Sequence, residues 1–403
     1  MAATTEMGSK KPASGGSSEL AKRFRSNIQT YTIILALVAI WAFFALLTGG
    51  AFLQPQNISN LFRQMTVTSF LAIGMVFVIV TGNIDLSVGK LAGFVSVVVA
   101  YFQANIWYNL IPNQPVIAAI LSVIIGLGVG VLFGIMQGYI ISFLAVPSFI
   151  VTLAGMFVLT GLILLVTQGK TIPANQPGFD LIAQGYLPPL AGWIIAALVI
   201  AFLVWNMFRS RQRKRQHGFE LPSIALDLAT TVFYAALVVA YVYMVNQYKG
   251  IQVPVLLLAV AALIMSYVSN NTRFGRYAYA IGGNREAARL SGINIKRSVF
   301  LIFVLMGLLA GVAGIVLASY VGYGTIAAGQ GYELDAIASA ILGGTSTLGG
   351  VGTVFGALIG SLIMTSLTTG LQMLNVQPAW QYLVKGLVLV LAVYADVSFK
   401  KNR

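Results

Sequence analysis

The sequence predicts an all-α polytopic membrane protein with about 10–12 transmembrane helices. Of its 403 residues, 58% are hydrophobic and only 8% are charged, and the mean hydropathy is +0.88. A soluble protein carries about 25% charged residues, so 24 basic and 10 acidic side chains are too few to cover a globular surface. The apolar runs are near-continuous and approach the roughly 20 residues that a spanning helix needs.

Twelve apolar segments are candidates for spanning helices, and the short or glycine-interrupted ones leave the number open between ten and twelve. The segments lie near 31–49, 65–81, 86–103, 115–140, 149–167, 190–207, 226–245, 251–268, 298–318, 334–347, 352–370 and 381–397.

The basic residues cluster in four segments, and these clusters orient the chain. They are the N-terminal tail, the loop 209–217, the loop 269–297 and the C-terminal end. With twelve crossings all four fall on one side, which the positive-inside rule makes cytoplasmic. Both termini are therefore predicted to be cytoplasmic, with residues 1–28 as a disordered tail and 29–403 as the membrane domain. The net charge of +14 then reflects topology and predicts no nucleic-acid partner.

The residues that membrane enzymes use are scarce. Cysteine is absent and His217 is the single histidine, which excludes thiol chemistry and a histidine-rich metal site. Gly169-Lys170-Thr171 lacks the preceding glycine of a Walker A loop, so no ATP site is predicted. No aspartate-rich cluster is present, because the acidic residues in or beside the apolar segments are only Asp85, Glu333, Asp335 and Asp396. We therefore predict no catalytic or metal-binding residues, and a transporter or channel instead of an enzyme.

Two places where apolar runs are interrupted carry acidic residues. Asn83 or Asp85 is placed to cap the helix that follows, and Glu333 and Asp335 repeat this arrangement. Proton or sodium coupling at these carboxylates is the alternative. With twelve crossings the first place lies near the cytoplasmic face and the second near the outer face, as an inverted-topology repeat would produce. The related halves would cover about 60–165 and 250–397.

Glycine is concentrated in the segment 343–360. Gly352, Gly356 and Gly360 recur every four residues, which predicts one face of a helix in close contact with another helix. A narrow translocation lining or a hinge is the alternative.

The loop 269–297 contains a predicted short helix over 284–291. Asn284 is placed as its N-cap, Glu286 lies in the first turn, and Gly292 ends it. Such a helix on the inner face is a docking element for a partner, whereas a solvated loop that only orients the chain is the plain alternative.

The loop also resembles a motif of ABC-importer permeases. Glu286-Ala287-Ala288 is followed by Gly292 and Ile302 as in the EAA motif, although Val304-Leu305 replaces its usual Leu-Pro ending. A wider resemblance, over about 50–397, connects the chain to the ribose/xylose branch of the binding-protein-dependent permeases, and most of all to xylose and multiple-monosaccharide permeases. The stretches that carry it are 72–79, 84–89, 146–155, 279–284, 287–293 and 333–338. The extra segment, about 170–250, is shared with the longer members.

The resemblance implies a BtuC-like type II ABC importer fold with an inverted repeat. It implies a permease subunit, in a bacterial inner membrane, that forms a dimer and translocates a monosaccharide such as xylose. A periplasmic sugar-binding protein would deliver the sugar, and a separate ATPase with two nucleotide sites would bind ATP and Mg, leaving no cofactor on this chain. The ATPase contact would use Asn284, Arg285, Glu286, Ala287, Ala288, Arg289 and Gly292.

The translocation pathway is harder to predict, because no cluster of polar side chains with stacking aromatics stands out along the sequence. Helix caps or pathway residues are expected among Asn83, Asp85, Ser87, Ser148, Thr152, Glu333, Asp335, Thr345 and Ser346. A pathway of low affinity suits a permease whose binding protein selects the solute. A stand-alone secondary transporter or a channel for a small polar solute remains the alternative function.

Overall fold

The structure, a computed structural model, describes residues 28–174, 176–219 and 223–401, which are largely helical. The predicted tail 1–28 lies outside the described residues except for Ile28, where the first helix begins. The helices are α1 (Ile28–Leu47), α2 (Pro55–Val80), α3 (Val88–Leu110), α4 (Pro115–Ser142), α5 (Ser148–Thr167), α6 (Leu181–Gln184), α7 (Pro189–Gln216), α8 (Ile224–Asn246), α9 (Val253–Asn271), α10 (Arg273–Gly283), α11 (Arg285–Leu290), α12 (Ile295–Val321), α13 (Tyr332–Leu342), α14 (Val354–Met373) and α15 (Pro378–Lys401). Two short strands, β1 (Ile172–Pro173) and β2 (Tyr323–Gly324), pair antiparallel.

Each of the twelve apolar segments coincides with a helix. In the described part of the chain, nine helices are long and apolar enough to cross a membrane, and Thr32–Leu47 and Pro378–Tyr394 are shorter apolar stretches. The segment 334–347 was wrong as a spanning helix, because α13 has only 11 residues, a length of about 16 Å. Gly343 ends this helix, and Gly344 has a φ of 91°, so an irregular segment follows as far as α14.

The extra segment 170–250 supplies β1, α6, α7 and α8. The loop predicted over 209–217 is wrong, since α7 continues to Gln216 and carries the cations in its last turns. Arginine and lysine are good helix formers and are favourable near a helix C-terminus. Arg211 also forms an ion pair with Asp227, near the start of α8.

The centre of the molecule is formed by α2 and α12, which pack against each other. α12 also packs against α3 and α4, and α2 also packs against α13 and α14. Glycines allow the closest of these approaches: a Cβ added at Gly130 of α4 would lie 2.4 Å from the carbonyl oxygen of Gly307 in α12. Gly356 and Gly360 of α14 likewise face the backbone of α13 and the residue that follows it, which supports the close-packing prediction, although Gly352 precedes the helix.

The starts of α3 and α13 lie side by side. A Cβ on Gly89 would lie 2.7 Å from the backbone nitrogen of Glu333, and one on Gly93 would lie 2.2 Å from the carbonyl oxygen of Ala328. The prediction that these two places lie near opposite faces is therefore wrong. After β2 the backbone turns back along α3 before α13 begins, so both helices start inside the protein.

The ends of the helices define two ends of the molecule. At the first, the backbone nitrogen of Gly350 donates to the carbonyl oxygen of Val80 at 2.9 Å, and the Tyr279 hydroxyl donates to the carbonyl oxygen of Gly352 at 2.9 Å. This is the end that carries α10, α11 and the start of α12, and we call it the basic end. At the opposite end lie the start of α2, the β1–β2 pair and the turn between α14 and α15.

Candidate functional site

A cavity of about 830 Å³ lies at the opposite end, between α13 and α15 and backed by α2, α12 and α14. Apolar atoms form the larger part of its surface, but polar side chains are numerous in it, and we call it the polar cavity. Ligand sites in proteins typically have volumes of about 300–1,000 Å³. Five glutamines and three tyrosines are prominent in its lining: Gln64, Gln330, Gln372, Gln377, Gln381, Tyr320, Tyr332 and Tyr382. This is the cluster of polar and aromatic side chains that the sequence did not reveal, because its members come from five helices and from the segments between them. Gln64 lies in α2, and the other seven lie within 320–382 but on several different elements.

An ion pair joins the two helices that flank this cavity. The Lys385 ammonium of α15 lies 2.9 Å from Oδ2 of Asp335 in α13, and their side chains are 20% and 11% exposed. Asp335 was predicted as a helix cap or a pathway residue. The N-cap of α13 is Gly331, and the Asp335 carboxylate lines the cavity with its lysine partner.

Two further contacts order the wall of the cavity. The Arg63 guanidinium lies 5.0 Å from the centre of the Tyr320 ring and donates to Oδ1 of Asn60 at 2.9 Å. The Thr369 hydroxyl donates to Oε1 of Gln64 at 3.0 Å. Both contacts restrain long side chains that face the cavity, so part of the lining is preorganised.

A second polar cluster surrounds the start of α3. Oδ1 of Asp85, a residue only 1% exposed, accepts from the Ser87 backbone nitrogen at 2.8 Å and from the Ser87 hydroxyl at 2.7 Å. The Gln137 amide nitrogen of α4 donates to the Ser87 hydroxyl at 2.9 Å. The Thr152 hydroxyl donates to the Ser148 carbonyl oxygen at 2.9 Å within α5, beside Ile84. The N-cap of α3 is Ser87, which makes no side-chain capping hydrogen bond, so neither Asn83 nor Asp85 is the N-cap that the sequence predicts. The Asp85 carboxylate accepts instead from the amide of the N-cap residue itself.

The remaining predicted residues lie elsewhere. Asn83 donates to the Thr81 hydroxyl at 3.0 Å, away from the Asp85 cluster. Glu333 covers Gly89, and its Oε2 is buried with no hydrogen-bond partner among the residues that the structure describes. Thr345 and Ser346 are buried in the glycine-rich segment at the basic end, where the Ser346 hydroxyl accepts from the Leu348 backbone nitrogen.

The predicted pathway residues therefore fall into separate groups, and only Asp335 reaches the polar cavity. Gln137 and Lys385, which complete the two polar clusters, were not predicted from the sequence. Gln381, Lys385 and Leu389 do recur every four residues in α15 and all line the cavity, a spacing that marks one helix face. That spacing was the available signal.

The short helix at the basic end forms as predicted. The side-chain oxygen of Asn284 accepts from the Ala287 backbone nitrogen at 2.9 Å, and Gly292 has a φ of 81° directly after the C-cap. The backbone nitrogen of Ile293 donates to the carbonyl oxygen of Ala288 at 3.1 Å, which closes a Schellman-type ending. α10 precedes it, and was not predicted. Its cap is the Thr272 hydroxyl, which accepts from Gly275.

Most of α11 is exposed. Only Ala288 is buried, whereas Leu290 is 77% exposed and Arg285 and Ala287 are also exposed. Glu286 and Arg289 pair with each other at 2.5 Å on the surface, with side chains 63% and 67% exposed. The helix thus presents an apolar side chain and a charged pair outward, at the end that carries the cations.

Comparison with known proteins decides the family. The sequence pattern of the family described as "Branched-chain amino acid transport system / permease component" matches residues 57–393. The chain belongs to this family. The resemblance to its ribose/xylose members is confirmed, and these proteins are permeases of transport systems, not enzymes.

Several relatives cover nearly the whole chain. A xylose transport system permease protein of Haemophilus influenzae is 43% identical over 377 residues, which are 93% of this chain and 98% of the relative. The xylose transport system permease protein of Escherichia coli K12 is 42% identical over 97% of this chain and 96% of its own length. A ribose import permease protein of Bacillus subtilis is 34% identical over 86% of each chain. No solved structure gives a significant match.

Proposed function

We propose that this chain is the membrane-spanning permease subunit of an ATP-driven importer and that its solute is a monosaccharide. The observation that carries this proposal is 42–43% identity, over more than nine-tenths of the chain, to xylose transport permeases. Permeases named for ribose and for galactose are 31–34% identical. Xylose is therefore the first solute to test, with a different pentose or a hexose next.

The ATPase would dock at the basic end, on α11. Three observations support this contact: the helix is capped at both ends, it is almost fully exposed, and it lies against α12 and α10. Because α12 packs on α2, α3 and α4, a displacement of α11 would be transmitted through the single helix α12 to the centre of the molecule. Nucleotide-driven closure of the ATPase would thereby rock the helices.

The other components of the importer follow from the same proposal. ATP and Mg would be bound by an ATPase with two nucleotide sites, and this chain would supply no cofactor ligand. A periplasmic sugar-binding protein would deliver the solute at the opposite end. Two copies of this chain would form the membrane unit, a homodimer.

The orientation in the bacterial inner membrane follows from the cations. The last turns of α7, the helices α10 and α11 and the start of α12 carry most of the basic residues of the described part. The positive-inside rule makes the basic end cytoplasmic, and both termini are then cytoplasmic.

The packing supports a BtuC-like fold with an inverted repeat. α2 packs on α13 and α14, and its counterpart α12 packs on α3 and α4. In the same way, α3 packs on α4 and α5, and its counterpart α13 packs on α14 and α15. If α2–α5 are exchanged in order with α12–α15, each helix therefore keeps the corresponding neighbours. In the proposed repeat, α3 and α13 are corresponding broken helices whose starts meet.

Charge reversal on α11 tests the coupling. Glu286→Lys removes the pair with Arg289 and places like charges three residues apart. We expect ATP-dependent uptake to fall at least tenfold while the ATPase keeps hydrolysing ATP, because the docking surface no longer transmits closure. Uptake and hydrolysis are measured on the same proteoliposomes.

Gln212→Lys is the matched control. Gln212 is exposed near the end of α7 and gains a positive charge at the same end of the molecule. Its uptake should equal that of the wild type. Normal, coupled uptake by the Glu286→Lys variant would rule out α11 as the ATPase contact.

A further inference from the structure

We propose that the polar cavity between α13 and α15 is a binding station for the monosaccharide within a single permease subunit. This inference rests on the proposed function, since it assigns a position on the route of the solute that the importer carries. The station would be occupied after release from the binding protein and before the solute passes toward the basic end.

The glutamine side chains give the cavity lining a large hydrogen-bonding capacity. A glutamine amide both donates and accepts, as a sugar hydroxyl does. Gln330, Gln372 and Gln377 line the cavity and make no side-chain hydrogen bond within the described residues. Gln381 uses only its amide nitrogen, toward the carbonyl oxygen of Val376 at 2.8 Å. These amides are therefore available to a polyhydroxylated ligand.

Aromatic rings lie in the same lining as the glutamine amides. Tyr320, Tyr332 and Tyr382 line the same cavity. A tyrosine presents an apolar ring with a polar tip, which suits the C–H faces and hydroxyls of a sugar ring. The Arg63 guanidinium holds one of these rings in place.

The ion pair adds charged hydrogen-bonding groups to the cavity. Asp335 and Lys385 lie in the cavity lining, and each retains hydrogen-bonding capacity beyond their mutual contact. Hydrogen bonds to charged groups are roughly twice as strong as neutral ones. A neutral sugar whose ring also packs on the tyrosines can therefore bind to this pair without leaving a buried charge unpaired.

The position and the walls suit a transient site. The cavity lies at the end where the binding protein would deliver the solute, beside the breaks at α3 and α13. One wall is α15, whose outer face is exposed at Leu383 and Leu387. α15 packs on α13 and α14, and Leu389, Ala392 and Val393 lie against the core. Movement of this single helix away from α13, with opening of the ion pair between them, would release the solute.

The absence of cysteine provides a direct experiment. Single cysteines are introduced in the permease–ATPase complex in proteoliposomes as Gln381→Cys and Thr368→Cys, both in the cavity lining. Gln247→Cys is the control, since Gln247 is exposed at the end of α8, outside the cavity. The rate of modification by a small cationic methanethiosulfonate reagent is measured with xylose, ribose, galactose or mannitol present.

The sugar that the wild-type complex imports should slow modification at positions 381 and 368 at least threefold, at millimolar concentration. It should leave position 247 unchanged, and mannitol, an acyclic polyol, should not protect. No protection by a sugar that the wild type imports would overturn the cavity assignment and leave the proposed function intact. A wild-type complex that imports none of these sugars with ATP would instead refute the proposed function, and this inference with it.

Discussion

The ion pair between Asp335 and Lys385 joins two helices of the cavity through side chains that are largely buried. Lys385→Met would leave the Asp335 carboxylate buried without its partner. We expect the free energy of unfolding to fall by about 3 kcal/mol, because an uncompensated buried charge is costly. Thermal unfolding in detergent measures the change.

The double variant Asp335→Asn/Lys385→Met is the control for this prediction. It removes both charges, so its stability should return to within about 1 kcal/mol of the wild type. Equal destabilisation in the single and the double variant would show that packing of the lysine side chain, not the charge pair, stabilises the contact.

At the scale of residues, the place of an acidic side chain near a helix start was predictable, but its exact role and its distant partners were not. Asp85 was predicted to cap α3 because it precedes an apolar run, but the N-cap is Ser87, and the Asp85 carboxylate accepts from the Ser87 amide. Lys385 lies 50 residues from Asp335, so nothing in the local sequence connects them. The polar cavity was missed for the same reason, since it exists only once five helices are packed.

At the scale of elements, the capping residues predicted where a helix ends, whereas a run of basic residues was interpreted incorrectly as a loop. Asn284 and Gly292 predicted the ends of α11 within one residue. The run of cations after 208 suggests a loop, but it continues α7, because lysine and arginine favour helix and balance the dipole there. The glycines of 343 and 344 fall within a predicted spanning helix, whereas in the structure they end α13.

The contact between α4 and α12 supports a prediction about single glycines. Gly130→Ala places a methyl group 2.4 Å from the Gly307 carbonyl oxygen, so the helices must separate. We expect a loss of about 2 kcal/mol in the free energy of unfolding, measured by thermal unfolding in detergent.

Gly128→Ala is its matched control on the same helix. An added Cβ at Gly128 meets no atom within 4 Å, and alanine favours helix over glycine by about 1 kcal/mol. Stability should therefore be unchanged or slightly higher. If both variants lose stability equally, close approach of α4 and α12 does not explain the role of Gly130.

At the scale of the whole molecule, hydropathy predicted the helical segments, and the structure decided how they meet. Eleven of the twelve apolar segments coincide with helices of 19 residues or more, because burial in lipid requires apolar, internally hydrogen-bonded segments. The twelfth, 334–347, contains only the short helix α13. The meeting of α3 and α13 was not predictable from hydropathy, since it depends on 325–331 turning back into the protein. The packing of α2 and α12 at the centre likewise depends on contacts that no local sequence pattern indicates.

We propose that this permease moves a monosaccharide inward with energy from ATP that a partner subunit hydrolyses. The most direct test reconstitutes the tagged protein into proteoliposomes with the ATPase and sugar-binding protein that co-purify from its native membrane. Uptake of radiolabelled xylose, ribose and galactose is measured with ATP inside, without ATP, and with an imposed proton or sodium gradient. Uptake of at least one sugar is expected only when ATP, the ATPase and the binding protein are all present. Uptake by the permease alone, driven by an ion gradient or running equally in both directions, would contradict it.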